Sequence, residues 1–240
     1  MSGFVDQEKL LDKRAQLEEE LTWRADEIRL LRNQLSYIEF EKDQNRFRKA
    51  LLVMLYSHYE GFCSIAFQIY IAAINEEHLK RSEVNHFLAA SSMIEAFDAY
   101  EDDNIKPRHY KKIFKKTLPD KNNLQKFARQ IDFVDSFSDL WTQNVYIPDD
   151  IVDTESNLWP IVLKKLLYRL GLPCNYFEDQ ECYIHELVNR RNGIAHGRDK
   201  EGITADIYNH IEKSTFSIME RVINLIIDAL KKGIYLVPSS

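Results

Sequence analysis

Residues 7–40 contain neither glycine nor proline, and Leu10, Leu17, Leu21, Ile28, Leu31, Leu35 and Ile38 fall on the a and d positions of one heptad register. Between them lie charges of both signs, as in QLEEELTWRADEIRLLR. That pattern commits the stretch to one long helix with a solvated face and an apolar seam to bury. Arg14 and Arg24 interrupt the seam. Such a helix packs along the body of its own chain, along a second copy or along a partner. In each case it is an arm for packing, not a chemical site.

The same scarcity of chain breakers holds throughout. Seven Gly and six Pro in 240 residues disfavour a turn-rich all-β protein and suit long helices. Residues 45–75 read as a second helix, apolar nearly all round and therefore buried on most sides. Inside it stand Ser57, His58, Tyr59 and Glu60, and a carboxylate in that setting needs a cation from another element. A shorter helix is expected over 82–100. After Pro107, Arg108, Lys111, Lys112, Lys115 and Lys116 cover one helical face, with Tyr110, Ile113, Phe114 and Leu118 on the other and Pro119 as the stop. That basic face is a candidate for an RNA backbone.

From about 121 to 157 the periodicity weakens, and mostly loop or insertion is expected. It returns in NLWPIVLKKLLYRLGLP, a helix with Pro160 near its start and Gly171 and Pro173 at its end. Further helices are expected over 179–196 and 204–232, the last capped by Thr204 and stopped near Gly233. The expected fold is all-α: an N-terminal helical arm over 1–42 and a helical domain over 43–240, with an insertion at 101–157.

Composition removes several function classes. The formal net charge is −6 and the pI near 5.7, which leaves nucleic acid open as a partner because binding depends on local patches. Cys63, Cys174 and Cys182 are odd in number and show no metal spacing, as reduced thiols do. His58, His86, His109, His185 and His210 likewise lack metal-ligand spacing, so no metal is expected. There is no G-x-x-x-x-G-K-[ST] and no G-x-G-x-x-G, so no nucleotide cofactor is proposed. The start, MSGFVDQEKL, is not a signal peptide, and no uninterrupted apolar run reaches the ~18 residues of a membrane helix. No membrane association is expected, and the compartment is read as cytoplasmic.

The stretch NRRNGIAHGR, residues 189–198, supports two readings. As a helix end, His196 suits the last turn and Gly197 supplies a left-handed cap. As a site, Asn192 and His196 share one face at i, i+4, with Arg191 beside them. His can move a proton near neutral pH. Arg can grip phosphate oxygens with two hydrogen bonds.

LLYRLGLP, then ECYIHELVNRRNGIAHG, then a long apolar helix resembles the HEPN superfamily, whose nuclease members carry an Arg, a polar residue, a few spacers and a His. Here these are Arg191, Asn192 and, after three residues, His196. LYSHYEGF at 55–62 is similar to a branch of stand-alone bacterial HEPN proteins that also begin with a long charged helix. The resemblance implies a metal-independent endoribonuclease that leaves 2′,3′-cyclic phosphate and 5′-hydroxyl ends. It further implies a homodimer with a composite active site, a role as toxin or phage-defence effector, and a restraining antitoxin or other regulatory protein. Glu60 is expected to pair with Arg190 or Arg191, with Tyr59 in support. The alternative is a non-catalytic HEPN-like module that binds RNA or a protein.

Overall fold

The computed structural model describes residues 6–102, 104, 107, 108, 113 and 123–238. Eight α-helices fall within them: α1 Gln7–Asn33, α2 Glu41–Asn75, α3 His86–Ser91, α4 Ile94–Glu101, α5 Asn123–Thr142, α6 Pro160–Arg169, α7 Glu181–Ala195 and α8 Ala205–Lys232. Among the described residues there is no strand beyond two isolated bridges, Lys80 with Asn144 and Val84 with Leu236. The all-α expectation holds.

The bundle is organised around α2, which packs on α8, α1 and α7. Its long apolar content explains the position: Leu51, Leu52, Leu55, Phe62, Phe67 and Ile74 are all buried. Facing them, Ile218, Met219, Val222, Ile226 and Leu230 recur at helical spacing along α8. An 18-residue window of α2 is apolar enough on average to cross a membrane, but 56% of it is buried in the bundle. α2 is thus the core helix of this fold.

The arm folds back. α1 lies along both α2 and α8, with Leu17 and Ile28 fully buried in the same core as the α2 and α8 residues. Of the two charges that interrupt the seam, Arg14 is exposed and pairs with Glu18 and Arg24 is buried, as is Lys13 beside the seam. Lys13 reaches Glu76 at 2.7 Å. The Arg24 guanidinium lies 4.2 Å from the centroid of the Trp23 ring and pairs with the Glu20 carboxylate. Close by, His58 of α2 sets its Nε2 2.9 Å from the Glu27 carboxylate and its ring edge-on to Trp23. Burial pushes the His58 imidazole below its ordinary value, and Arg24 adds to this against the pull of Glu27.

The stretch read from sequence as mostly loop contains a 20-residue helix, α5. Its apolar period is present but reversed in direction. Leu124, Phe127, Ile131 and Val134 recur at helical spacing on the exposed side, while the inner side uses Ala128 and Arg129. The Phe133 ring packs at a tilt against Phe97 of α4, centroids 5.8 Å apart. Beyond α5 the chain runs inward, burying Val145, Ile147, Ile151 and Val152. The amide of Val145 donates to Leu79 O at 2.7 Å, and the amide of Arg81 to Gln143 O at 2.9 Å. The segment before α6 is therefore fixed against the end of α2.

Candidate active site

The two readings of NRRNGIAHGR fall on the same residues, because the proposed motif lies where α7 ends. His196 caps the helix, and Gly197 follows with φ +69°, a conformation that glycine adopts without a steric penalty. The Arg198 amide donates to Gly193 O at 2.9 Å and the Gly197 amide to Ile194 O at 3.1 Å, which satisfies carbonyls left open by the helix end. Gly193 is buried because the chain folds back over it. A Cβ there would lie 2.7 Å from Asp199 Cγ. The Lys49 ammonium donates to the Asp199 carbonyl, and the Ile203 amide to Asn45 O at 2.8 Å. The turn after the motif is thereby pinned to the first turns of α2.

Arg191 is half-buried and closely held. Its Nη1 donates to Asn157 Oδ1 at 2.9 Å and to Asn192 Oδ1 at 2.8 Å. Its Cζ lies 4.6 Å from the centroid of the Tyr56 ring, within cation–π range. Among the described residues, Nη2 and Nε make no hydrogen bond and no carboxylate lies within ion-pair distance. The guanidinium therefore offers one free edge, the edge that grips two oxygens of a phosphate or carboxylate side by side.

Asn157 comes from the loop before α6, which two tyrosines of α2 hold in place. The Leu158 amide donates to Tyr56 Oη at 2.9 Å, and Tyr59 Oη lies 3.5 Å from Leu158 O. Burial pushes the Tyr56 phenol up to about 12; the Leu158 contact and Arg191 pull it down, and Glu60 pushes it up. Tyr59, fully buried, is raised well above its ordinary value by the same loss of solvent. Both phenols thus stay neutral at physiological pH. Tyr59 touches the loop that carries Asn157 from the side of the core.

Glu60 does not pair as the sequence suggested. It is half-buried one turn beyond Tyr56, and among the described residues no ion pair joins it to either arginine. Arg190 turns back along α7 to Glu186 at 2.9 Å. Arg191 spends its near edge on the two asparagine amides. The physical reason is local: Arg190 has a carboxylate one turn away on its own helix, the least costly partner for a flexible side chain.

The His196 side chain is exposed and makes no hydrogen bond among the described residues. Its imidazole therefore stands open to a ligand, one turn beyond Asn192. Of the proposed basic face, Arg108 is exposed and its amide donates to the Asp132 carboxylate. Lys111, Lys112, Lys115 and Lys116 lie outside the described residues. Among the described residues no group of three or more His, Cys, Asp or Glu side chains is arranged to hold a metal ion.

Sequence reading missed Asn157 and Tyr56. Their only cue was adjacency: Asn157 opens NLWPIV, and Tyr56 stands beside the polar cluster of α2. The family described as MAE_28990-like HEPN matches residues 13–235, which include most of the arm and every residue of this site. No curated protein and no solved structure matches the chain.

Proposed function

We propose, because the chain belongs to the MAE_28990-like HEPN family, that it is a metal-independent endoribonuclease. The observation that carries this reading is that one helix end holds both Arg191, bound only by amide oxygens with Nε and Nη2 free of hydrogen bonds among the described residues, and the exposed imidazole of His196. RNA brings its own nucleophile. The 2′-oxygen bonds to the adjacent phosphorus, its proton passes to a base, the bond from phosphorus to the 5′-oxygen breaks, and that oxygen takes a proton from an acid. The ends are a 2′,3′-cyclic phosphate and a 5′-hydroxyl, and no water is consumed.

Arg191 grips the non-bridging oxygens and stabilises the charge that grows on them. Asn192 orients Arg191 through its Oδ1. His196 carries one of the two proton transfers. One imidazole per chain leaves the other transfer without a group, so the working form is a homodimer in which His196 of a second copy completes the cleft. A free nuclease of this kind damages its host, which fits a toxin or phage-defence role and a restraining protein partner.

The test is cleavage of RNA by purified protein in excess EDTA, beside His196→Ala and Arg191→Ala. Cyclic-phosphate ends from the wild type alone are expected, with losses of about 10²-fold or more in either variant. One observation favours the second reading, a binding module: no described residue orients His196. RNA bound but left intact by every version of the protein would establish that reading instead.

A further inference from the structure

We infer that Asn157 is a positioning residue for Arg191, and that its being an amide rather than a carboxylate leaves the guanidinium charge free to bind phosphate. The inference rests on the RNA reading above and adds to it a residue outside the motif.

Four arginines near the core meet a carboxylate: Arg24 meets Glu20, Arg32 Glu212, Arg190 Glu186 and Arg221 Asp179; Arg48, at the start of α2, is held by the side-chain oxygens of Asn45 and Gln44. Arg191 is held by two amide oxygens and an aromatic face. Each of these orients the group without cancelling its charge. A carboxylate at position 157 would orient it equally well and neutralise it, so a phosphate arriving at Nη2 and Nε would meet an ion pair instead of a cation.

Asn157 is itself held too firmly to swing away. Its amide donates to Thr154 O at 3.0 Å, and its carbonyl accepts from the Trp159 amide at 2.8 Å. Leu158, the next residue, is gripped by Tyr56 and Tyr59. The backbone that carries the side chain is thus fixed. The side-chain oxygen faces the guanidinium, because arginine can only donate. Both Nη1 hydrogens are used, one on Asn157 and one on Asn192. That fixes the rotation of the whole group and leaves Nε and Nη2 without a hydrogen bond among the described residues.

The experiment compares wild type, Asn157→Asp, Asn157→Ser, Asn157→Ala and Arg191→Ala by three readouts. These are the melting temperature, the affinity for a single-stranded 2′-O-methyl RNA that cannot be cut, and the cleavage rate of ordinary RNA in EDTA. Asn157→Asp is expected to melt no lower than wild type, to bind at least about tenfold more weakly, and to flatten the salt dependence of binding by about 0.7, the loss of one phosphate contact on a single strand. Asn157→Ser, neutral and still an acceptor, is expected to bind and cut better than Asn157→Asp.

Wild-type affinity and salt slope in Asn157→Asp would overturn the inference. So would equal losses in Asn157→Asp and Asn157→Ala that simply follow a lowered melting temperature, since that is what a structural role gives. A wild type that binds the 2′-O-methyl RNA no better than Arg191→Ala removes the RNA reading itself, and the inference with it. A wild type that binds without cutting leaves the affinity comparison intact as the deciding test.

Discussion

Tyr56 serves two neighbours with different parts of one side chain: its hydroxyl holds the Leu158 amide and its ring carries the Arg191 guanidinium. Tyr56→Phe separates the two. The ring stays, but a buried N–H loses its acceptor, which costs about 1–3 kcal/mol. A lower melting temperature is expected, together with slower RNA cleavage as Asn157 loosens; an unchanged melt would mean that the loop is held by other contacts. At this scale the sequence was legible in part. Arg191, Asn192 and His196 could be grouped because helical spacing joins them within one segment. Asn157 could not, since its bond to Arg191 spans 34 positions and the Leu158 latch spans 102. Nothing in local pattern announces either.

Between elements, the seam of α1 and α2 is the clearest case of a sequence pattern with a tertiary answer. The heptad reading placed Leu17 and Ile28 on a packing face, and both are fully buried there. Leu17→Ala is expected to cost about 2–5 kcal/mol by denaturant unfolding, the range for a large-to-small change in a core. A change below 1 kcal/mol would show that α1 is only loosely docked. The interruption at Arg24 was visible in sequence but its resolution was not, because it depends on Trp23, Glu20 and the neighbouring helix. α5 was missed although its apolar residues recur at helical spacing, because the mixture of aromatics and acids around them was read as loop.

His58 gives the same interface a pH dependence. Burial depresses its folded-state value, so the unfolded chain takes up the proton first. Stability from the neutral imidazole is complete above the ordinary value near ~6.5 and is lost as pH falls through that value toward the folded one. The wild type is therefore expected to lose more thermal stability than His58→Gln between about pH 7 and pH 5. Parallel melting curves for the two would exclude His58 as the source of acid sensitivity.

At the scale of the whole molecule, an acidic chain with net charge −6 can act on a polyanion only through local cations, and the site supplies one that is held without a counter-charge. The arm bears on how such a molecule can be divided or restrained. From sequence it looks like a detachable handle with an apolar seam ready for a partner. In the fold that seam is already occupied: Leu17, Ile28 and the buried Arg24 form one wall of the bundle. A binding protein that competed for it would have to displace α1 from the bundle, so a partner of this helix that keeps the fold intact has its outer face to grip, where Leu11, Trp23 and Leu30 stand exposed among the charges. The same holds for dissection. A chain begun after residue 42 would expose the α1-facing sides of α2 and α8, and would be a damaged bundle rather than a minimal one. The arm is thus separable in sequence but not in substance.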